Sequence, residues 1–121
     1  MKTSSFRRSV TWMLLASLLI LVFALSACGG GSSQTVNVKE TKGASGDVYM
    51  CDPTSITVSK GDSVSFTNQT DEIQDFDQGD ATKAGVDFKM DLNQTESATF
   101  NNTGTFTIKS EKGATITVTV Q

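Results

Sequence analysis

The sequence predicts an all-β domain, an antiparallel β-sandwich or barrel, behind a leading segment of a different kind. About seven short segments after residue 33 alternate apolar with polar residues, the period of a half-buried strand. Glycine, asparagine and aspartate separate these segments, as turns between strands require. No segment after residue 33 keeps an apolar period near 3.6 residues, so no long amphipathic helix is expected.

The leading segment, residues 1–27, has the pattern of a secretory signal peptide. Three basic residues precede an apolar run over residues 10–27, and small residues lead to Cys28. The sequence Leu25-Ser26-Ala27-Cys28 resembles the end of a bacterial lipoprotein signal, which implies that Cys28 carries lipid (palmitate or a similar acyl chain). The alternatives are cleavage near Ala27 without lipid, or an uncleaved anchor, since the run is about long enough to span a bilayer. Each of these places the remainder outside the cytoplasm.

Behind the signal, residues 28–33 are interpreted as the lipidated cysteine and a Gly/Ser tether, and residues 34–121 as the folded domain. The predicted location is therefore the extracytoplasmic face of the cell membrane, with a lipid anchor as the membrane contact. All 13 acids follow the signal, whereas three of the 10 bases lie within it. An acidic domain does not favour nucleic acid or anionic lipid headgroups, and is better suited to cations or to a basic protein partner in the cell envelope.

The first half of the domain contains four predicted strands. Residues 35–39 and 47–51 alternate on either side of a break at residues 43–46. The stretch from Pro53 to Asn68 then reads as a hairpin, two strands joined by a turn at Lys60-Gly61-Asp62, in which Gly61 supplies a positive φ.

The second half begins with an acidic, irregular segment over residues 71–91, in which residues 80–84 can form one helical turn. Strands are expected again at residues 96–100, 105–108 and 114–120, the last with threonines on a solvent face. The apolar positions of all these segments give the predicted core: Val36, Val38, Tyr49, Cys51, Ile56, Val58, Val64, Phe66, Phe76, Phe100, Phe106, Ile108, Ile116, Val118 and Val120.

The order of motifs resembles the cupredoxin (blue copper) family. Tyr49-Met50-Cys51-Asp52-Pro53, then Ile56-Thr57-Val58, Gly61-Asp62 and Phe66-Thr67-Asn68 look like the first half of such a domain. Gly104-Thr105-Phe106-Thr107 and Ile116-Thr117-Val118 look like its second half. The resemblance covers roughly residues 48–120. It implies a Greek-key antiparallel β-sandwich and, in the family, one-electron transfer at a type 1 copper.

The copper ligands that the resemblance implies are missing from this sequence. A type 1 site uses two imidazoles and one thiolate with a weak axial ligand, and the chain contains no histidine. By the family's spacing, Gln74 stands at the position of the first histidine and Ser110 at that of the cysteine. The ligand loop is reduced to Glu111-Lys112-Gly113. The sequence therefore predicts the fold without type 1 copper, and no cofactor is expected.

Two other kinds of metal site remain as alternatives. Cys51 and Met90 are soft ligands that could serve a copper-handling or electron-transfer protein with a non-standard site, although a buried cysteine acting as a small apolar residue explains Cys51 better. The acidic loop 71–91 partly matches a calcium loop, but its twelfth position, counted from its first aspartate, is Val86. The hard-cation candidates in that loop are Asp75, Asp77, Asp80 and Asp87.

No constellation in the sequence indicates catalysis. The domain has no histidine for acid–base chemistry, no serine or cysteine with a plausible base to activate it, and no glycine-rich phosphate loop. The sequence thus favours a lipid-anchored, non-enzymatic binding or interaction module, with the two metal-binding readings as its alternatives.

Overall fold

The computed structural model describes residues 33–121, which form ten short strands and one helical turn. Residues 1–27 and Cys28, the predicted signal and lipid site, lie outside the described residues. Within residues 33–121, no helix is long and apolar enough to cross a bilayer. The strands are β1 (Gln34–Thr41), β2 (Val48–Asp52), β3 (Ser55–Val58), β4 (Ser63–Asn68), β5 (Gln74–Phe76), β6 (Gln78–Gly79), β7 (Phe88–Met90), β8 (Thr95–Thr99), β9 (Gly104–Lys109) and β10 (Thr115–Val120), and the turn is α1 (Ala81–Ala84).

Two four-stranded sheets make up the sandwich, with strand orders β2-β1-β4-β8 and β3-β10-β9-β6, and a separate ribbon pairs β5 with β7. The predicted all-β sandwich is confirmed. Most pairs are antiparallel, as expected, but β1 pairs with β4 and β3 with β10 in parallel. Each four-stranded sheet is therefore mixed, because each contains one parallel pair among its antiparallel pairs.

The stretch from Pro53 to Asn68 is not a hairpin, and that prediction is wrong. β3 belongs to one sheet and β4 to the other, so the segment between them is an arch across the end of the sandwich. Gly61 has the predicted positive φ, 92°. The arch is held by long-range bonds instead of by strand pairing, since Lys60 N donates to Gln121 O and Gly61 N to Phe100 O. The alternation of β3 and β4 carries no information about which sheet each strand joins.

The core lies between the sheets, where the inward positions of the strands meet. All the predicted core residues are buried except Tyr49, which is half-buried against the core. Three rings, Phe66, Phe76 and Phe88, pack with centroids 5.1 to 5.8 Å apart. Buried residues that the sequence did not predict are mostly small or come from the acidic segment: Ala81, Ala84, Val86, Met90, Ala98 and Ala114.

The acidic segment, residues 71–91, is more regular than predicted. It contains β5, β6, α1 and β7. The expected helical turn is present, preceded by Asp80 and ended by Gly85 in the left-handed conformation. Strands of two or three residues are too short to show an alternating pattern, so this part of the prediction failed.

Candidate functional site

One end of the sandwich, here called the upper end, is formed by residues 69–73, 91–94 and 110–114. These segments follow β4, β7 and β9 and precede β5, β8 and β10. The last segment contacts both the first segment and the strand after it: Lys112 Nζ lies 3.3 Å from Glu72 Oε2, and Glu111 N donates to Asp75 O of β5 over 2.8 Å. Gln74 directly precedes Asp75, and Ser110 directly precedes Glu111. The hydrogen bond between Glu111 and Asp75 therefore brings these two positions, far apart in the sequence, close together.

Gln74 is a fully buried polar residue at the start of β5, opposite Met90 of β7. Its Nε2 donates to the hydroxyl of Thr70 over 3.2 Å. Its Oε1 is buried and has no hydrogen-bond partner among the described residues. The side chain therefore fills core space as a half-satisfied amide, an arrangement that costs free energy.

Ser110 is also buried, and its hydroxyl closes the short loop that follows β9. Ser110 Oγ accepts a hydrogen bond from Ala114 N over 3.0 Å, and Ser110 N donates to Ala114 O over 2.8 Å. Gly113 N donates to Ser110 O, and Gly113 has a φ of 98°. The loop is a tight turn fixed by the serine.

Asn68, at the end of β4, connects the segments of the upper end, a role that was not predicted from the sequence. This fully buried amide donates from Nδ2 to the carbonyls of Glu72 (2.8 Å), Met90 (3.3 Å) and Asp91 (3.2 Å). Its Oδ1 accepts from the backbone N and the hydroxyl of Thr70. One side chain therefore ties the segment before β5 to the segment after β7. The signal available in the sequence was an asparagine at an inward position of a strand, where an apolar residue is expected.

The sulfur-containing candidates do not form a site together. Cys51 lies in the core, as the sequence predicts, and burial raises the pKa of its thiol to about 12. Its neighbour Met50 is exposed on the other face of β2. Met90 is buried opposite Gln74 in the β5–β7 ribbon.

The four acidic candidates are spread over the flank formed by β5, β6 and α1. Asp75 faces Lys89 across the ribbon, and Asp77 and Asp87 are exposed. Asp80 accepts hydrogen bonds from Thr107 N (3.1 Å) and Lys83 Nζ (3.1 Å). These bonds, that from Thr107 first, lower the pKa of Asp80. The carboxylate is thus engaged within the fold. Among residues 33–121, no group of three or more Cys, Asp or Glu side chains is arranged to hold a metal ion.

A lysine and carboxylates form the densest charged network of the described residues, beside the upper end. Lys42 Nζ lies 2.7 Å from Asp71 and 2.8 Å from Glu40, whose side chain is only 7% exposed. Hydrogen bonds to Asp71 and then to Glu40 raise the pKa of Lys42, and the bond to Lys42 lowers the pKa of Asp71. The one ammonium group offsets only part of the negative charge of this cluster, and its contacts with Glu40 and Asp71 hold the end of β1 to the segment after β4.

Solved structures similar to this chain are, by their names, a cupredoxin, amicyanins and a pseudoazurin, and some of the amicyanin structures are named as the Cu(I) form. A purple cupredoxin from Nitrosopumilus maritimus is 12% identical, with a TM-score of 0.55 over 74% of this chain and all of the other. The fold is that of a cupredoxin. An amicyanin variant is 15% identical, with a TM-score of 0.56 over 74% of this chain and 83% of its own.

A Sinorhizobium pseudoazurin is another such neighbour of this cupredoxin-fold chain, 20% identical, with a TM-score of 0.55 over 74% of this chain and 73% of its own. No protein-family model matches the chain, and no curated protein matches it. At these identities the likeness concerns the fold.

The residues present do not fit the type 1 copper that the fold brings to mind. That centre needs two imidazoles and a thiolate, and the chain has no histidine. At the positions where the resemblance implies ligands stand the amide of Gln74 and the hydroxyl of Ser110, which is engaged in closing its own loop. The free thiol of the described residues, Cys51, lies in the core. Its raised pKa disfavours the thiolate that a copper site requires.

Proposed function

We propose that this protein is a non-enzymatic binding or interaction module of the cell envelope, a cupredoxin-like domain that has lost type 1 copper and is held at the extracytoplasmic face of the membrane by lipid on Cys28. The observation that carries the proposal is the state of Ser110. Its hydroxyl and both of its backbone groups are used to close a tight turn where the resemblance implies a ligand loop. The rest of the donor set, without histidine, supports the same conclusion.

The buried polar groups of residues 33–121 support the non-catalytic part of the proposal. Among residues 33–121 the polar residues that are buried as a whole are Asn68, Thr70, Gln74 and Ser110, all of them uncharged, and the shielded carboxylate of Glu40 is paired with Lys42. None of these uncharged groups is a base that could activate a nucleophile at pH 7.

Metal loading of the purified full-length protein tests the loss of copper. We expect no stoichiometric copper after incubation with Cu(II) and reductant, and no visible charge-transfer band, while an amicyanin treated in parallel takes up copper. We also expect the melting temperature to be unchanged by millimolar calcium, because a ligand that binds only the folded state would raise it. Stoichiometric copper would restore the copper-handling alternative, and a calcium-dependent rise in melting temperature would restore the cation-binding one.

Mass spectrometry of the protein isolated from membranes tests the anchor. We expect a chain that begins at Cys28 and carries acyl groups. A single acyl chain binds membranes only marginally, so two or more are expected for stable anchoring. An intact Met1, or a Cys28 without lipid, would remove the lipoprotein part of the proposal and leave the binding module in place.

A further inference from the structure

Two exposed apolar residues of the upper end, Ile73 and Leu92, lie on the two backbone segments that Asn68 joins. Within residues 33–121, the exposed large apolar residues are Val48, Met50, Ile73 and Leu92. Ile73 follows Glu72, and Leu92 follows Asp91, and the carbonyls of these two acids accept hydrogen bonds from the same atom, Asn68 Nδ2. Ile73 and Leu92, 40% and 49% exposed, therefore follow directly on two carbonyls that meet at one side chain.

The backbone beneath this apolar pair is rigidly fixed. Asn68 N donates to Gln94 O over 2.9 Å, and Asn93 N donates back to Asn68 O over 3.0 Å. Asn93, directly after Leu92, has a φ of 62°, the one positive φ of a non-glycine residue in the described part of the chain. Because these bonds already order the backbone, little further backbone entropy is lost when a partner binds here, which is the advantage of a preorganised surface.

The surroundings of the pair are acidic. The exposed residues Asp71 and Glu72 precede Ile73, and the exposed Asp91 precedes Leu92. The carboxylates of Asp71 and Glu72 are paired with Lys42 and Lys112, and that of Asp91 forms no ion pair with any residue from 33 to 121. An apolar centre with a negative rim complements an apolar group flanked by lysine or arginine, and it is repelled by anionic lipid headgroups.

We propose that Ile73 and Leu92 form the centre of a docking surface for another protein, whose contacting segment carries an apolar residue among lysines and arginines. This inference rests on the proposed function, an interaction module, and assigns it a surface and a class of partner. The apolar pair supplies the desolvated contact that dominates most interfaces, and the acids set orientation and association rate.

Photocross-linking in cells that make the full-length protein tests the surface. A photoreactive phenylalanine analogue replaces Leu92 in one variant and Met50, 40% exposed on β2, in the matched control. We expect a discrete adduct from position 92 only, and sequencing of the cross-linked peptide to show lysine or arginine near the attachment point. Ile73→Ser is expected to lower the adduct yield about tenfold, as for a central interface residue, whereas Val48→Ser leaves it unchanged.

High salt during irradiation of isolated membranes is expected to lower the yield, because it screens the attraction between the acidic rim and the basic segment. Three outcomes would contradict the proposed docking surface: an adduct of twice the chain's mass, an adduct with lipid, or equal products from positions 92 and 50. If position 92 gives nothing while a discrete protein adduct forms from position 50, the surface is wrong and the interaction module stands. If neither position, nor a third on the sheet face at Thr117, gives a protein adduct, the interaction module fails with it.

Discussion

Substitution of Asn68 by alanine tests the claim that one buried amide holds the upper end together. The amide ties the carbonyls of Glu72, Met90 and Asp91 to β4 and receives the N–H of Thr70. Asn68→Ala removes all of these bonds and leaves a small cavity. The segments before β5 and after β7 then lose their common support.

The cost follows from which groups keep another partner. In Asn68→Ala the Thr70 hydroxyl, which has a single proton and lies 2.9 Å from Glu72 O, can donate to that carbonyl, and Asp91 O keeps its bond from Gln94 N, so these carbonyls are not left without a partner. The Thr70 N–H has the Asn68 side chain as its acceptor, and a buried donor without a partner costs about 1–3 kcal/mol. With the cavity, we expect a loss of about 2–4 kcal/mol in the free energy of unfolding. A domain of this size has about 4–13 kcal/mol in total.

Urea unfolding of a chain that begins at Gln34, which retains every strand, measures this loss. The loss corresponds to a fall in melting temperature of about 10–25 °C for a domain this small. Asn101→Ala, at an exposed asparagine, is the control and is expected to change the free energy by less than about 0.5 kcal/mol. Asn68→Asp keeps the acceptor but turns a carboxylate oxygen toward the carbonyls, so it should be less stable than Asn68→Ala at pH 7. A loss below about 1 kcal/mol for Asn68→Ala would refute the assigned role.

Three further substitutions test other buried or charged groups by the same assay. Burial raises the pKa of the Cys51 thiol to about 12 in the folded state, so above pH 9 its ionisation favours the unfolded chain. Between pH 9 and pH 12 the free energy of unfolding of the native protein should therefore fall by about 1.4 kcal/mol per pH unit relative to that of Cys51→Ala. A parallel pH dependence of the two proteins would contradict this. Lys42→Met should lower the melting temperature at pH 7, where Asp71 and Glu40 are left without their cation, and the difference from the native protein should vanish as pH falls through the lowered pKa of Asp71. A difference that persists at pH 2 would indicate lost packing instead. Gln74→Met removes a buried acceptor that has no partner and should change stability by less than about 1 kcal/mol, or increase it; a large loss would show that the amide is satisfied.

The sandwich was predictable because its long strands repeat one simple pattern. β10 alternates threonine with isoleucine or valine over six residues, and its burial alternates in the same way. The inward positions of β1, β4 and β9 follow the same rule. Pattern fixes which face of a strand is buried, and so the core could be named from the sequence.

Pairing was not predictable by the same means, as the arch from Pro53 to Asn68 shows. Two alternating strands joined by a glycine turn fit a hairpin and an arch equally well. The choice is made by distant residues, because Gly61 N finds its acceptor at Phe100 O and β3 finds its partner in β10. The acidic segment failed for a related reason: β5 and β7 are three residues each, and their register is held by Asn68 from outside the ribbon.

The two positions where the resemblance implies ligands carry structural groups, since Ser110 closes a turn and Gln74 fills core space. Asn68 still connects the segments on either side. On the proposed function, the outer residues of this end, Ile73 and Leu92 among them, would then be available for contacts with a partner. Since function resides in a site and not in a fold, the exposed surface of this end is where the activity of this chain is to be sought.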